Sequence, residues 1–163
     1  MYKIGDYVVH KQYVCKITDI IKKFFNNVDY YNLITINDES LAIKIPVNRD
    51  DLLRPVMNKL EAEELIKKIP GIELIKIEND RNIDYVYKEL ISTGNREDLI
   101  KIIKTAYTRN EHRKENGKKV GEKDLSFLDT AEKILYGEMS IALNKTFDET
   151  KDYVIKKVEE YNK

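Results

Sequence analysis

The chain has 163 residues, of which 36% are charged and 42% hydrophobic, a composition typical of a globular protein with a real core. Its 29 basic and 29 acidic residues cancel, so no global field draws the chain onto nucleic acid. The absence of a long apolar run argues against a membrane protein, and the single cysteine, Cys15, excludes an internal disulfide and fits the reducing cytoplasm.

The first 57 residues have the pattern of β structure. Runs rich in β-branched and aromatic residues are separated by turn-forming pairs, Gly5-Asp6, Asn26-Asn27 and Asn37-Asp38. Pro46 cannot donate a hydrogen bond to a ladder and marks the end or edge of its strand. These signals predict a small SH3- or Tudor-like barrel with strands near residues 7–9, 14–21, 30–36 and 41–47.

The hydrophobic period becomes helical after residue 57. Asn58 and Glu61 form a capping-box pattern, as do Thr146 and Glu149, while Asn95 has the character of an N-cap. The apolar stripes predict about five helices, beginning after Asn58, near residue 80, after Asn95, near residue 122 and after Thr146. The expected architecture is α+β, with a β-barrel domain at 1–57 and an all-α domain at 58–163.

Residues that could support catalysis are scarce. The only histidines, His10 and His112, fall in different predicted domains, and neither stands among further metal ligands at suitable spacing. Cys15 lies in a β run and is best explained as a small buried hydrophobe, although a nucleophilic pair with His10 across a hairpin is conceivable. No glycine-rich phosphate loop is present. We expect no enzyme activity, no metal and no cofactor.

A cationic segment offers one candidate surface. Between Lys101 and Lys123 there are eight basic and three acidic residues, a net charge of about +5 in a neutral protein. Lys101 and Lys104 fall nearly opposite the apolar stripe of their predicted helix. The segment is either a solvated helix face and loop or a patch that contacts DNA phosphates without reading bases; the candidate contacts are Lys101, Lys104, Arg109, Lys118, Lys119 and Lys123.

A second candidate surface is the strand that ends at Pro46. Ile43, Lys44 and Ile45 alternate in polarity before it. If that strand is an edge, its free backbone groups can accept a partner strand, with Lys44 selecting the partner by charge. Otherwise it is an ordinary hairpin strand whose lysine points to water.

Several blocks along the chain, taken together, resemble the CarD family of bacterial transcription regulators, most closely the branch found in low-GC Gram-positive bacteria. The N-terminal blocks are Tyr2-Lys-Ile-Gly-Asp6, Ile43-Lys-Ile-Pro46-Val and Leu53-Arg-Pro55-Val. Later blocks are Glu97-Asp-Leu-Ile-Lys-Ile-Ile-Lys-Thr-Ala-Tyr107, Asn116-Gly-Lys-Lys-Val120, Gly121-Glu122-Lys123 and the stretch 131–138.

The resemblance implies a Tudor-like domain that docks on the RNA polymerase β subunit through strand pairing, followed by a helical domain that approaches promoter DNA. Lys23 and Lys44 fall where basic contacts to the β subunit are expected, beside Ile43, Ile45 and Pro46. Lys88 and Lys123 fall where the family has basic groups near DNA. The implied function is modulation of open-complex stability from the upstream edge of the bubble, on the minor-groove side, at the bacterial nucleoid.

The sequence departs from the family in having no tryptophan, the residue that relatives insert into the minor groove. The corresponding region offers Ile77, with Tyr85 one to two turns beyond it. An alternative therefore stays open, in which the chain is a protein–protein adaptor that docks on polymerase without touching DNA. The oligomeric state also stays open, with a monomer favoured.

Overall fold

The computed structural model describes residues 1–162, and its first unit is an antiparallel sheet. The strands are β1 (Tyr7–His10), β2 (Tyr13–Phe25), β3 (Val28–Thr35), β4 (Ala42–Pro46) and β5 (Arg54–Pro55), in the spatial order β4-β3-β2-β1-β5. A 3-10 segment, Val47–Leu52, connects β4 to β5. Because β4 pairs with β3 and β5 pairs with β1, these two strands form the edges of the sheet.

One face of the sheet forms a hydrophobic core. Alternate residues of β2 and β3 point inward, so that Ile17, Tyr31 and Leu33 are fully buried together with Cys15 and Val8. The hydroxyl of Tyr31 accepts a hydrogen bond of 3.2 Å from the backbone N–H of Tyr2. The segment that precedes β1 is thereby anchored to the sheet.

The β2–β3 hairpin has an irregular tip. Asn26 and Asn27 both have positive φ, 49° and 65°, which is the backbone of a type I′ turn. Lys23 also has a positive φ of 49°, and the strand register shifts between Ile21 and Phe25. This bulge changes the direction of the strand just before the turn.

The second unit is helical. It contains α1 (Lys59–Lys68), α2 (Ile83–Ser92), α3 (Arg96–Glu115), α4 (Glu122–Leu143) and α5 (Phe147–Tyr161), with short 3-10 segments at Ile69–Gly71 and Asp80–Asn82. Both predicted capping boxes are present, at the start of α1 and of α5, and the Asn95 side chain accepts from two backbone N–H groups at the start of α3. Helix α4 contacts each of the other four helices.

The contacts divide the chain into a unit at Met1–Met57 and a second unit that begins at Asn58. The predicted order of a small β domain followed by a helical domain is confirmed. None of the helices described for residues 1–162 is long and apolar enough to cross a bilayer.

Candidate functional site

Strand β4 is an edge of the sheet. The sequence alone could not tell whether this strand was an edge or an interior strand of the sheet. Strand β4 pairs with β3 so that Lys44 lies opposite Asn32 and Ile45 opposite Tyr31. Ile45 is buried in the core and Ile43 is partly buried against it, whereas Lys44 is exposed. Pro46 ends the strand opposite Tyr30. The alternation therefore anchors β4 by its isoleucines and leaves Lys44 on the outer face of an edge strand.

Lys44 has an aromatic neighbour on that outer face. Its Nζ lies 5.7 Å from the ring centroid of Phe24, within cation–π range. Phe24 in turn packs edge-on against Tyr30, with ring centroids 5.2 Å apart. The hairpin tip and the edge strand thus form one surface that combines a cation with aromatic rings.

Lys23, the other predicted polymerase contact, lies in the bulge of the same hairpin. Its backbone N–H donates a 2.9 Å hydrogen bond to Asp29, and Lys22 forms a 3.2 Å ion pair with the same carboxylate. The backbone hydrogen bond from Lys23, followed by the side-chain bond from Lys22, lowers the pKa of Asp29. The carboxylate is thus held ionised across the bulge, while the Lys23 side chain stays exposed.

Some basic side chains of the predicted cationic segment are engaged within the helical unit, and Lys104 has the most such contacts. Its Nζ donates to the carbonyl oxygens of Ile69, Pro70 and Ile72 at 2.7, 3.3 and 2.6 Å. The side chain caps the end of the 3-10 segment that follows α1 instead of lying on an open face of α3. These three hydrogen bonds occupy the ammonium group.

Arg109 is likewise committed within the fold. Its Nε donates to Asp124 at 3.1 Å and its Nη2 to Asp80 at 3.0 Å. The same Asp124 oxygen accepts a 2.6 Å hydrogen bond from Arg113, and the other oxygen accepts one of 2.7 Å from the Tyr87 hydroxyl. A buried carboxylate therefore joins α2, α3 and α4, and two of the eight basic residues of the segment neutralise it.

The environment of Asp124 keeps it ionised. Its side chain is only 1% exposed, and burial alone would raise its pKa. The hydrogen bonds from Tyr87, Arg113 and Arg109 outweigh burial, so the pKa of Asp124 lies below its ordinary value. Burial, followed by the hydrogen bond to Asp124, raises the pKa of Tyr87 and keeps its hydroxyl protonated.

The remaining predicted DNA contacts are accessible. Lys88, Lys118 and Lys119 are exposed, and Lys123 is mostly exposed although its Nζ lies 3.1 Å from Asp84. Since Asp84 and Lys88 are one turn apart on α2, Lys88 and Lys123 lie on neighbouring parts of one surface. Lys101 is partly buried, with Nζ 4.0 Å from Asp98. We call Lys88, Lys118, Lys119 and Lys123 the exposed lysine set.

Two features of the helical unit were not anticipated from the sequence. One is the Asp124 cluster, because Asp124 in the first turn of a helix is indistinguishable from an ordinary N-terminal acid. The other is the ion pair of Arg96 with Glu138, 2.8 Å long, in which Glu138 is buried in the C-terminal third of α4. The apolar residues on both sides of Glu138 in the second half of α4 were the available signal for the second feature.

An apolar groove lies between α3, α4 and α5. Its volume is about 520 Å³, a size suited to a ligand or to side chains of a partner. Tyr107, Leu125 and Ile155 line it and are exposed. Ion pairs of Lys114 with Glu111 and of Lys151 with Glu132 stand at its rim. Three large apolar side chains in one groove are typical of an interaction site.

Cys15 does not have the environment of a nucleophile. The residue is fully buried in the core of the β unit, and burial raises the pKa of its thiol to about 11. The nearer histidine, His10, directs Nδ1 to the carbonyl oxygen of Leu52 at 3.1 Å. These contacts favour a structural role for both side chains over the Cys–His pair considered above.

The β unit has the features of a docking domain, namely a free edge strand with an exposed lysine and an aromatic ring beside it, and a helical unit follows it. Residues 2–57 match the family model of the CarD-like/TRCF RID domain, which spans the β unit. The match supports a CarD/TRCF-type RNA polymerase-interacting domain in this part of the chain. A search of curated proteins finds no match.

Proposed function

We propose that this chain is a transcription regulator that binds the β subunit of RNA polymerase through residues 1–57 and contacts promoter DNA through its helical unit. It would act at the nucleoid as a non-enzymatic factor of the low-GC Gram-positive type. The observation that carries the proposal is the edge position of β4 with Lys44 exposed, in a unit that matches an RNA polymerase-interacting domain. An edge strand recruits a partner by backbone hydrogen bonds, and its outward side chains select that partner.

The docking step is tested by measuring the affinity of the full chain for the isolated β lobe of the cognate polymerase. Lys44→Glu reverses the charge on the edge strand and is expected to weaken binding by at least about tenfold. Lys16→Glu is the matched control, because Lys16 is also exposed and lies 5.6 Å from an aromatic ring centroid, but it stands on the interior strand β2. Equal affinity of the two variants would contradict the proposed contact, and no binding by wild type would contradict the docking proposal.

The DNA step rests on the exposed lysine set. Phosphate contacts by these groups release counterions, so affinity for a bubble-containing promoter duplex should fall steeply with salt. Replacing Lys118 and Lys119 together by glutamate is expected to weaken binding and flatten the salt slope. The control pair is Lys67 and Lys68, adjacent exposed lysines in the last turn of α1. Equal losses from both pairs would argue for nonspecific attraction rather than a defined DNA surface.

The regulatory step is a change in open-complex lifetime. A protein that binds the melted state more tightly than the closed state shifts the equilibrium by its differential affinity. The decay of heparin-challenged open complexes is measured with wild-type protein and with the lysine-pair variants. A lifetime that wild type does not alter would exclude this mechanism.

The apolar groove of the helical unit favours a second candidate, an adaptor that docks on polymerase and recruits another protein. Lys104, Arg109 and Arg113 are engaged within the fold, whereas Tyr107, Leu125 and Ile155 are exposed in the groove. Leu125→Glu should abolish regulation without affecting duplex affinity if the groove is the working surface. Loss of regulation only in the lysine variants favours direct DNA contact.

A further inference from the structure

The β2–β3 hairpin leaves two phenylalanines exposed near its tip. Phe24 is 49% and Phe25 is 59% exposed. Leaving large apolar side chains in water is unfavourable, because the stabilisation that burial gives is not gained. Their settings differ. Phe25 pairs with Val28 next to the turn. Phe24 lies one residue earlier, in the bulge, and packs against Tyr30. Phe24 therefore has an aromatic neighbour and a cation beside it, whereas Phe25 stands at the last strand pair before the turn.

Phe24 lies beside the free edge of the sheet. Lys44 reaches from β4 to within 5.7 Å of its ring centroid, and Tyr30 supports the ring from β3. A strand added to β4 would place its outward side chains next to Lys44 and therefore next to this ring. Aromatic side chains in such a position are the residues that most often carry binding energy, because they bury a large area and lose little rotamer freedom.

The local charge indicates the chemistry of the partner. Lys44 lies over the ring, Lys22 and Lys23 immediately precede Phe24 in the chain, and Asp29 is already paired with Lys22. Lys23 and Lys44 retain exposed ammonium groups. A partner segment with an acidic side chain next to an apolar one complements this arrangement: the acid meets the ammonium groups, and the apolar group covers the ring.

We infer that Phe24 is the apolar anchor of the polymerase-docking surface, where it packs against an apolar side chain of an extended, acidic segment of the polymerase. This inference rests on the proposed function. It adds that Lys44 acts together with the ring: the ring limits the positions of the ammonium group, and burial of the ring on docking strengthens the charge pairing by excluding water.

The test measures the affinity of the full chain for cognate RNA polymerase core enzyme. Phe24→Ala is expected to weaken binding at least about tenfold, equal to ~1.4 kcal/mol. The control, Phe25→Ala, removes a slightly more exposed ring from the neighbouring position and is expected to change affinity less than about threefold. Phe24→Tyr keeps the ring and is expected to bind like wild type, which separates loss of the anchor from disturbance of the hairpin.

The outcomes separate the inference from the function on which it rests. Wild-type binding with equal affinities for the Phe24→Ala and Phe25→Ala variants would overturn the anchor and leave polymerase docking intact. Failure of wild type to bind would overturn the docking proposal and the anchor with it. Thermal unfolding of each variant shows whether the hairpin change reaches the core; an affinity loss that matches a loss of folded protein would also overturn the inference.

Discussion

A β-carbon placed on Gly121 would lie 2.5 Å from Nη1 of Arg113, closer than real contacts of this kind allow. The same Nη1 donates to Asp124 and to the amide oxygen of Asn110, and that amide oxygen also accepts from the Gly121 N–H at 2.8 Å. The start of α4 and the side chains of α3 are therefore fitted to each other. Space, rather than an unusual backbone angle, favours glycine here, because the guanidinium of Arg113 is held by Asp124 and Asn110.

Gly121→Ala is expected to destabilise the protein by about 2 kcal/mol, because the guanidinium of Arg113 must leave Asp124 or the start of α4 must shift. Urea unfolding measures the change. Gly71→Ala is the control, since a β-carbon at Gly71 meets nothing within 4 Å. Because alanine restricts the unfolded chain, Gly71→Ala is expected to leave stability unchanged or slightly higher, and a destabilisation equal to that of Gly121→Ala would contradict the clash as the cause.

Asp124→Asn is expected to lower the free energy of unfolding by about 3 kcal/mol at pH 7, since it leaves two guanidinium groups without their carboxylate. The pKa of Asp124 is lower in the folded protein than in the unfolded chain, where it is about 4. The ionised carboxylate therefore adds to the free energy of unfolding above pH 4, and this stabilisation is lost as the pH falls through the folded pKa. The difference between variant and wild type should therefore shrink as the solution is acidified from pH 7 to pH 3. If the free energies of unfolding of variant and wild type differed equally at pH 7 and pH 3, Asp124 would not be ionised in the folded protein at neutral pH. In the control, Asp129→Asn, an exposed partner of Lys133 is removed and little change is expected.

Lys104→Met is expected to destabilise the protein by about 2 kcal/mol, because three carbonyl oxygens lose a charged donor. Its affinity for DNA should equal that of wild type, since the ammonium group is already occupied. Lys101→Met, from the preceding turn of α3, should leave stability within about 0.5 kcal/mol of wild type. If fully folded Lys104→Met bound DNA much more weakly than wild type, Lys104 would be a DNA contact after all.

The thiol of Cys15 is expected to resist alkylation in the folded protein. With its pKa raised to about 11 by burial, the thiolate fraction at pH 8 is roughly a thousandth. An unfolded cysteine, with a pKa near 8.5, is about one quarter thiolate at that pH. Iodoacetamide labelling followed by mass measurement should therefore be rapid in urea and very slow without it. Rapid native labelling would revive the catalytic alternative for Cys15.

Much of the fold was predictable because its signals are local. The asparagine pair at 26–27 supplies the left-handed backbone of a type I′ turn, and the capping boxes at Asn58 and Thr146 start helices where the sequence predicts. These interactions join residues within four positions of one another. They therefore leave a pattern that a reader of the sequence can recognise.

The candidate surfaces were predictable only in part. Alternation identified Lys44 as an outward side chain, but the edge position of β4 depends on the order of strands in space. The charge count predicted a cationic segment of about +5, yet it could not tell that Lys104 caps a chain segment more than 30 residues earlier in the sequence. The sequence did not mark Phe24 as part of a surface, because its contacts with Lys44 and Tyr30 form only when the strands pair.

The sequence alone determined where the capped helices begin, which side chains are apolar, and the order of a β unit before a helical one. The tertiary structure decided which charges remain available. A lysine or arginine has the same formal charge wherever it stands, but its capacity to bind a partner depends on whether carboxylates or carbonyls from distant segments already surround it. Arg109 and Lys118 belong to one cationic stretch, and only packing placed the first against Asp124 and left the second exposed.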